Sequence, residues 1–134
     1  MTVLGIDPGT RKVGIAVVDA GGNALEIAIE PLEEVGIRVQ ALIGRYSIDA
    51  IAMGKGTNAA ALAEKLGNLG IPIGYVDERE TTLKARSLYF ADHPPRGWRR
   101  LIPLGMQLPP RPIDDYAAVL IARRYLEGTV PDRV

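Results

Sequence analysis

Thr2-Val3-Leu4-Gly5-Ile6-Asp7, followed at once by Pro8-Gly9-Thr10, decides the fold. Val3, Leu4 and Ile6 around a glycine read as a short buried strand, and the Pro-Gly pair is a strong turn signal, so the strand stops with an acid in its last position. Val13 to Asp19 is a second β-branched run, Ala20-Gly21-Gly22-Asn23 is another turn, and Leu25 to Ile29 is a third strand. Three strands on short turns make a meander. Beyond Pro31 the period changes, because Leu32, Val35, Ile37 or Arg38, Val39, Leu42 and Ile43 recur at helical spacing.

From there strand and helix alternate. Ile48 to Met53 reads as a buried strand, Asn58 to Leu69 as an alanine-rich helix and Ile71 to Glu78 as another strand, a βαβ pattern with parallel pairing. Glu80 to Phe90 has helix-forming composition, Pro94 to Pro112 is a loop rich in proline and arginine, and Asp114 to Glu127 is a closing helix before Gly128. The order is that of the RNase H-like fold: an α/β domain with a mixed five-stranded sheet, three antiparallel strands then two parallel, flanked by helices. At 134 residues a single domain over 1–134 is expected.

Composition narrows the chemistry. Charged residues make up 24% and hydrophobic ones 47%, which suits a globular chain and excludes wholesale disorder. No apolar run approaches the ~20 residues that span a bilayer, and a cytoplasmic protein is expected. Cysteine is absent and His93 is the sole histidine, so a disulfide framework, a thiolate metal site and a zinc cluster are all excluded. Any metal must sit on oxygen ligands. The net charge of zero hides an asymmetry: residues 84–111 carry Lys84, Arg86, Arg96, Arg99, Arg100 and Arg111 against Asp92 alone, whereas residues 1–54 hold seven acids against four basic side chains. That pattern suits an anionic partner approaching one side.

In sheets of this kind ligands gather at the carboxyl ends of the parallel strands. Three acidic positions fall there: Asp7 ends the first strand, Asp77-Glu78 ends the last, and Asp114-Asp115 opens the final helix. Mg²⁺ and Mn²⁺ favour carboxylate and water oxygens, and two such ions ~3.5–4 Å apart stabilise the attacking and leaving oxygens of a phosphoryl displacement. Each acid has a plainer role available. Asp7 can organise its own turn, Asp77 or Glu78 can pair with Arg79, and Asp114 or Asp115 can cap the helix. Strand alternation lets only one of Asp77 and Glu78 face the site, and Glu78 is the favoured one.

Two features admit a rival reading. Asp7-Pro8-Gly9-Thr10 is similar to the phosphate-clasping loop of actin-like and sugar-kinase ATPases, and Gly54-Lys55-Gly56-Thr57 precedes a helix, where glycine amides bind phosphate. The second stretch lacks the spacing of a P-loop, however. Those ATPases also pair two such domains around a nucleotide, and this chain supplies one. A catalytically inactive nucleic-acid-binding module on the same fold is the other alternative.

Gly5-Ile6-Asp7-Pro8-Gly9-Thr10-Arg11-Lys12-Val13-Gly14-Ile15-Ala16-Val17, Val76-Asp77-Glu78-Arg79-Glu80-Thr81-Thr82 and Ile113-Asp114-Asp115-Tyr116-Ala117-Ala118 together resemble the YqgF (RuvX) family over nearly the whole chain. The Asp-Glu-Arg-x-Thr-Thr segment is its most specific mark. That family is described as RNase H-like nucleases acting on pre-16S rRNA, earlier assigned to Holliday junction resolution. The resemblance implies a catalytic triad of Asp7, Glu78 and Asp114; from their places at the strand end and helix start, Asp77 and Asp115 are further candidate metal ligands. Departures from the family pattern are the Asp7-Pro8-Gly9 turn, which is that of the related RuvC resolvases, the Gly-Lys-Gly-Thr after the fourth strand, and a long loop holding His93-Pro94-Pro95-Arg96-Gly97-Trp98-Arg99-Arg100.

The expected activity is hydrolysis of phosphodiester bonds with Mg²⁺ or Mn²⁺, two ions being expected. Lys55, Arg79 and Thr10 are placed to meet phosphate oxygens, Arg96, Arg99, Arg100 and Arg111 to grip the backbone, and Trp98 to stack on a base or anchor its loop. Nucleic acid, as RNA or branched DNA, is the expected partner. A homodimer is expected only by analogy with other folds of this class.

Overall fold

The computed structural model describes residues 1–56, 58–77, 81–94 and 114–129. Strands β1 (Val3–Asp7), β2 (Lys12–Val18) and β3 (Ala24–Pro31) form the antiparallel meander. Helix α1 (Val35–Arg45) follows a single 3₁₀ turn at Leu32–Glu34, and then come β4 (Ala50–Gly54), α2 (Ala59–Leu66), β5 (Ile73–Val76), α3 (Thr81–Asp92) and α4 (Asp114–Thr129). The sheet order is β3-β2-β1-β4-β5, with β1 antiparallel to β2 and parallel to β4, and β4 parallel to β5. This is the RNase H-like arrangement expected from the element order.

The central strands are apolar on both faces because both are covered. Leu4, Ile6, Val13, Ile15, Val17, Ile51 and Met53 face α1 and α2, which contribute Val35, Val39, Leu42, Leu62 and Leu66. Val3, Ala16, Val18, Ala52 and Val76 face α4 through Ala118, Val119, Ile121 and Ala122. Helix α3 leans on α4 by way of Ala85, Tyr89, Phe90, Tyr116 and Ala117. Alternation along β1 and β2 thus assigns odd positions of β1 and even positions of β2 to the α4 side.

Helix α4 lies unusually close to the sheet. A Cβ at Gly5 would run into the Ala118 carbonyl, one at Gly14 into the backbone of Asp114, and one at Gly74 into the ring of Tyr125. Glycine in a strand interior marks such a close approach. The three contacts set the helix diagonally across the sheet, with its first residue over β2 and its last turns over β5.

The alternative left open in α1 is decided for Arg38: Ile37 is 73% exposed, and Arg38 takes the sheet-facing side. Its guanidinium binds Glu26 and Glu30 of β3, each at 2.9 Å, while Arg45 and Tyr46 each bind Glu26 at 3.0 Å. The heptad-like run Val35, Val39, Leu42 leaves position 37 on the far side of the helix. Strand β5 is four residues long, shorter than the run 71–78. The acidic bias of the first 54 residues is largely structural: Glu26 and Glu30 meet arginines, Asp19 accepts the backbone N–H groups of Gly21 and Asn23, and Asp49 accepts that of Thr2. No helix among the described residues is long and apolar enough to cross a membrane.

Candidate functional site

Strand β1 ends at Asp7, β4 at Gly54 just before Lys55, and β5 at Val76 just before Asp77, so all three parallel strands deliver polar residues to one edge of the sheet. The start of α4 arrives at the same edge. Gly14 is the register partner of Asp7 across the β1–β2 pair, and the backbone of Asp114 rests directly on Gly14. Paired strands lie ~4.8 Å apart. Asp7 shares the face of Val3 and Gly5, which is the face α4 covers. Asp7 and Asp114, 107 positions apart in the numbering, therefore flank one point.

Electrostatics marks that point as short of positive charge. Asp114 is half-buried, and its carboxyl is held above the usual carboxylate range, first by burial, then by the neighbouring Asp115 charge, with Lys12 acting in the opposite direction. Asp115 is 5% exposed, and its Oδ1 accepts the Tyr116 N–H at 3.0 Å. Acids in the first turn are favoured by the helix dipole, which moderates the mutual repulsion without removing it. All-oxygen donors with surplus negative charge, partly withdrawn from water, fit a hard divalent cation. Among the described residues no three acidic or histidine side chains close around a single point, and Glu78 lies outside them.

The turn after β1 is held from two sides. Gly9 packs so tightly on the Lys12 carbonyl that a Cβ has no room. From the other side the Asn58 side-chain amide donates to the Gly9 carbonyl at 2.8 Å. Asn58 stands at the N-cap of α2 and makes no side-chain cap bond there. Thr10 and Lys55 are exposed at the rim. The Lys55 backbone N–H donates to the Val76 carbonyl at 3.2 Å, which removes one amide from the glycine-rich stretch proposed as a phosphate loop in the ATPase reading.

Asp77 is not brought to the Asp7–Asp114 pair. It lines a depression at the outer edge of β5 with Tyr75, Arg124 and Tyr125, and β5 lies two strands from β1, a separation of ~10 Å. Because Val76 faces α4, alternation puts Asp77 out of phase with the face that carries Asp7. Glu78, Arg79, Arg96, Trp98, Arg99, Arg100 and Arg111 fall outside the described residues. Three participants escaped the sequence reading: Lys12, Gly14 and Asn58. A glycine inside the β-branched run 13–19 was the available signal for Gly14, whereas Asn58 advertised a helix cap and serves another loop.

No family model matches the chain. Curated relatives match it over nearly full length. A protein of Azotobacter vinelandii is 32% identical over 148 aligned positions, covering 98% of this chain and 94% of that one; one of Pelotomaculum thermopropionicum is 31% identical, covering 96% and 88%; both are named "Putative pre-16S rRNA nuclease". Among solved structures, RuvC of Thermus thermophilus superposes with a TM-score of 0.57 at 19% identity, and the same protein in complex with a Holliday junction substrate with 0.61 at 20%, each match covering 96% of this chain. Sheet order and these superpositions define an RNase H-like α/β protein. The chain belongs to the YqgF (RuvX) family of pre-16S rRNA nucleases.

Proposed function

We propose that the protein is a divalent-metal-dependent nuclease that hydrolyses phosphodiester bonds of an rRNA precursor. The observation that carries this reading is the seating of Asp114 on Gly14, opposite Asp7. Asp7, Asp114 and Glu78 would hold Mg²⁺ or Mn²⁺, with Asp115 adding negative charge behind Asp114. When bound, the metal supplies neutralisation of charge at the scissile phosphate and an activated water. The chain's own part is to hold these carboxylates rigidly through Asn58, Gly9 and the close packing of α4. Lys55, Thr10 and Arg79 would steady the phosphates on either side, contacts that position a strand without reading its sequence.

Branched DNA is the second reading, favoured by the Asp7-Pro8-Gly9 turn and the RuvC superposition. One experiment separates the two: incubate the protein with a pre-16S transcript and with a four-way DNA junction, in Mg²⁺, in Mn²⁺ and in EDTA. Metal-dependent cleavage of the transcript alone supports the proposal. Cleavage of the junction alone supports the resolvase, and cleavage of neither points to a binding module.

A further inference from the structure

Lys12 opens β2 at the edge where β1 ends, because the two strands are antiparallel. Side chains alternate along β2. Val13, Ile15 and Val17 pack with α1 and α2, and Ala16 and Val18 with α4, so Lys12 stands on the α4 face together with Gly14 and Asp7. Gly14 carries the backbone of Asp114 and lies about 6.8 Å along the strand from Lys12. Gly9 rests on the Lys12 carbonyl, so the turn that follows Asp7 also fixes the backbone under the lysine. The Lys12 residue is exposed and makes no ion pair among the described residues. Its charge still reaches the acids: burial, then Asp115, hold the Asp114 carboxyl above the usual range, and Lys12 opposes both. On the other side of β1, Lys55 follows the end of β4 and is exposed as well. The strand order β2-β1-β4, with neighbours ~4.8 Å apart, thus sets Asp7 between two exposed lysines.

We infer that Lys12 binds a non-bridging oxygen of the phosphate next to the scissile one, on the β2 side of Asp7, and that the substrate strand crosses the sheet edge from Lys55 to Lys12. This rests on the nuclease reading above, which assigns Lys55 to a phosphate on the β4 side. An ammonium group has three donors and no acceptor, so Lys12 can face the Asp114 carboxylate and a phosphate oxygen together. Without a cation there, a phosphate passing Asp114 and Asp115 meets like charge. Lys12 therefore decides whether the strand continues past the acids or turns away from them. A contact of this kind positions the backbone and carries no base preference.

Two affinities of the full-length protein separate a grip on the substrate from upkeep of the acids. In an Asp7→Asn background, Lys12→Gln should raise the Kd for a fluorescein-labelled 12-nucleotide single-stranded RNA about fivefold, equally for oligo(U) and oligo(A). The slope of log Kd against log salt should flatten by about 0.7, and Lys12→Arg should restore both values. With Asp7 intact, Lys12→Gln should bind Mn²⁺ alone about two- to threefold more tightly, since a like charge has gone from beside the acids. A single methylphosphonate linkage, placed after a 2′-deoxynucleotide and scanned outward from the mapped cut, should slow the native protein about fivefold at one flanking position and leave Lys12→Gln indifferent there. Unchanged RNA affinity in Lys12→Gln overturns the inference. So does an equal loss of RNA and Mn²⁺ affinity, which makes Lys12 a prop of the acids, and so does a variant still slowed by the neutral linkage at every position. Circular dichroism confirms folding of each variant. Failure of the nuclease reading looks different: the native protein takes up no Mn²⁺ and cuts nothing, while the dependence of RNA binding on Lys12 stands.

Discussion

Asn58 donates its side-chain amide to the carbonyl of Gly9 across 49 residues, at 2.8 Å, so the loop after β4 holds the turn that follows Asp7. A helix N-cap residue normally spends its side chain on its own helix, and here it does not. Asn58→Ala removes one hydrogen bond, worth about 1 kcal/mol, and should lower the melting temperature by only about 3–6 °C. Nuclease activity should fall about tenfold, with the Mg²⁺ requirement shifted upward, because what is lost is support behind Asp7, the proposed metal ligand. Titrating activity against Mg²⁺ in both proteins checks this. An unchanged metal requirement would make Asn58 merely structural.

Gly14 has to be glycine because the backbone of Asp114 occupies the place of a Cβ. Gly14→Ala should therefore cost about 1–3 kcal/mol in urea unfolding and displace the start of α4 from Asp7, so activity falls further than stability. By comparison Gly36→Ala, where nothing lies within 4 Å, should leave both intact.

Asp114 should limit stability while it serves the site. Burial, then the Asp115 charge, raise its folded pKa above the ordinary 3.8, so between those two values the folded state binds the extra proton and stability falls as pH rises. Above that window the wild type carries the full cost of the buried charge, and Asp114→Asn does not. The variant should melt higher than wild type at pH 7, with the advantage vanishing below about pH 3.8. Added Mg²⁺ should raise the melting temperature of the wild type and not of the variant. A variant that melts lower at pH 7 would contradict this assignment of strain.

Much of the fold was readable in the chain, since Val3, Leu4, Ile6 and the run 13–18 are apolar on both faces, as only strands covered on both sides can be. The acids at strand ends followed from that. The register of α1 did not, because Ile37 and Arg38 are both compatible with a helix and the choice was made by Glu26 and Glu30 on another strand. Nor did the site's internal supports. Lys12 near Asp114 and Asn58 on Gly9 are neighbours only after the sheet is ordered, and nothing in the local pattern of either residue announces its partner.

The most direct test compares cleavage of a pre-16S transcript by the native protein and by Asp7→Asn in Mg²⁺ or Mn²⁺, with circular dichroism to establish that both are folded. A metal site at Asp7 and Asp114 predicts a loss of about a hundredfold or more in the variant at unchanged secondary structure. Equal cleavage by the two proteins would contradict it.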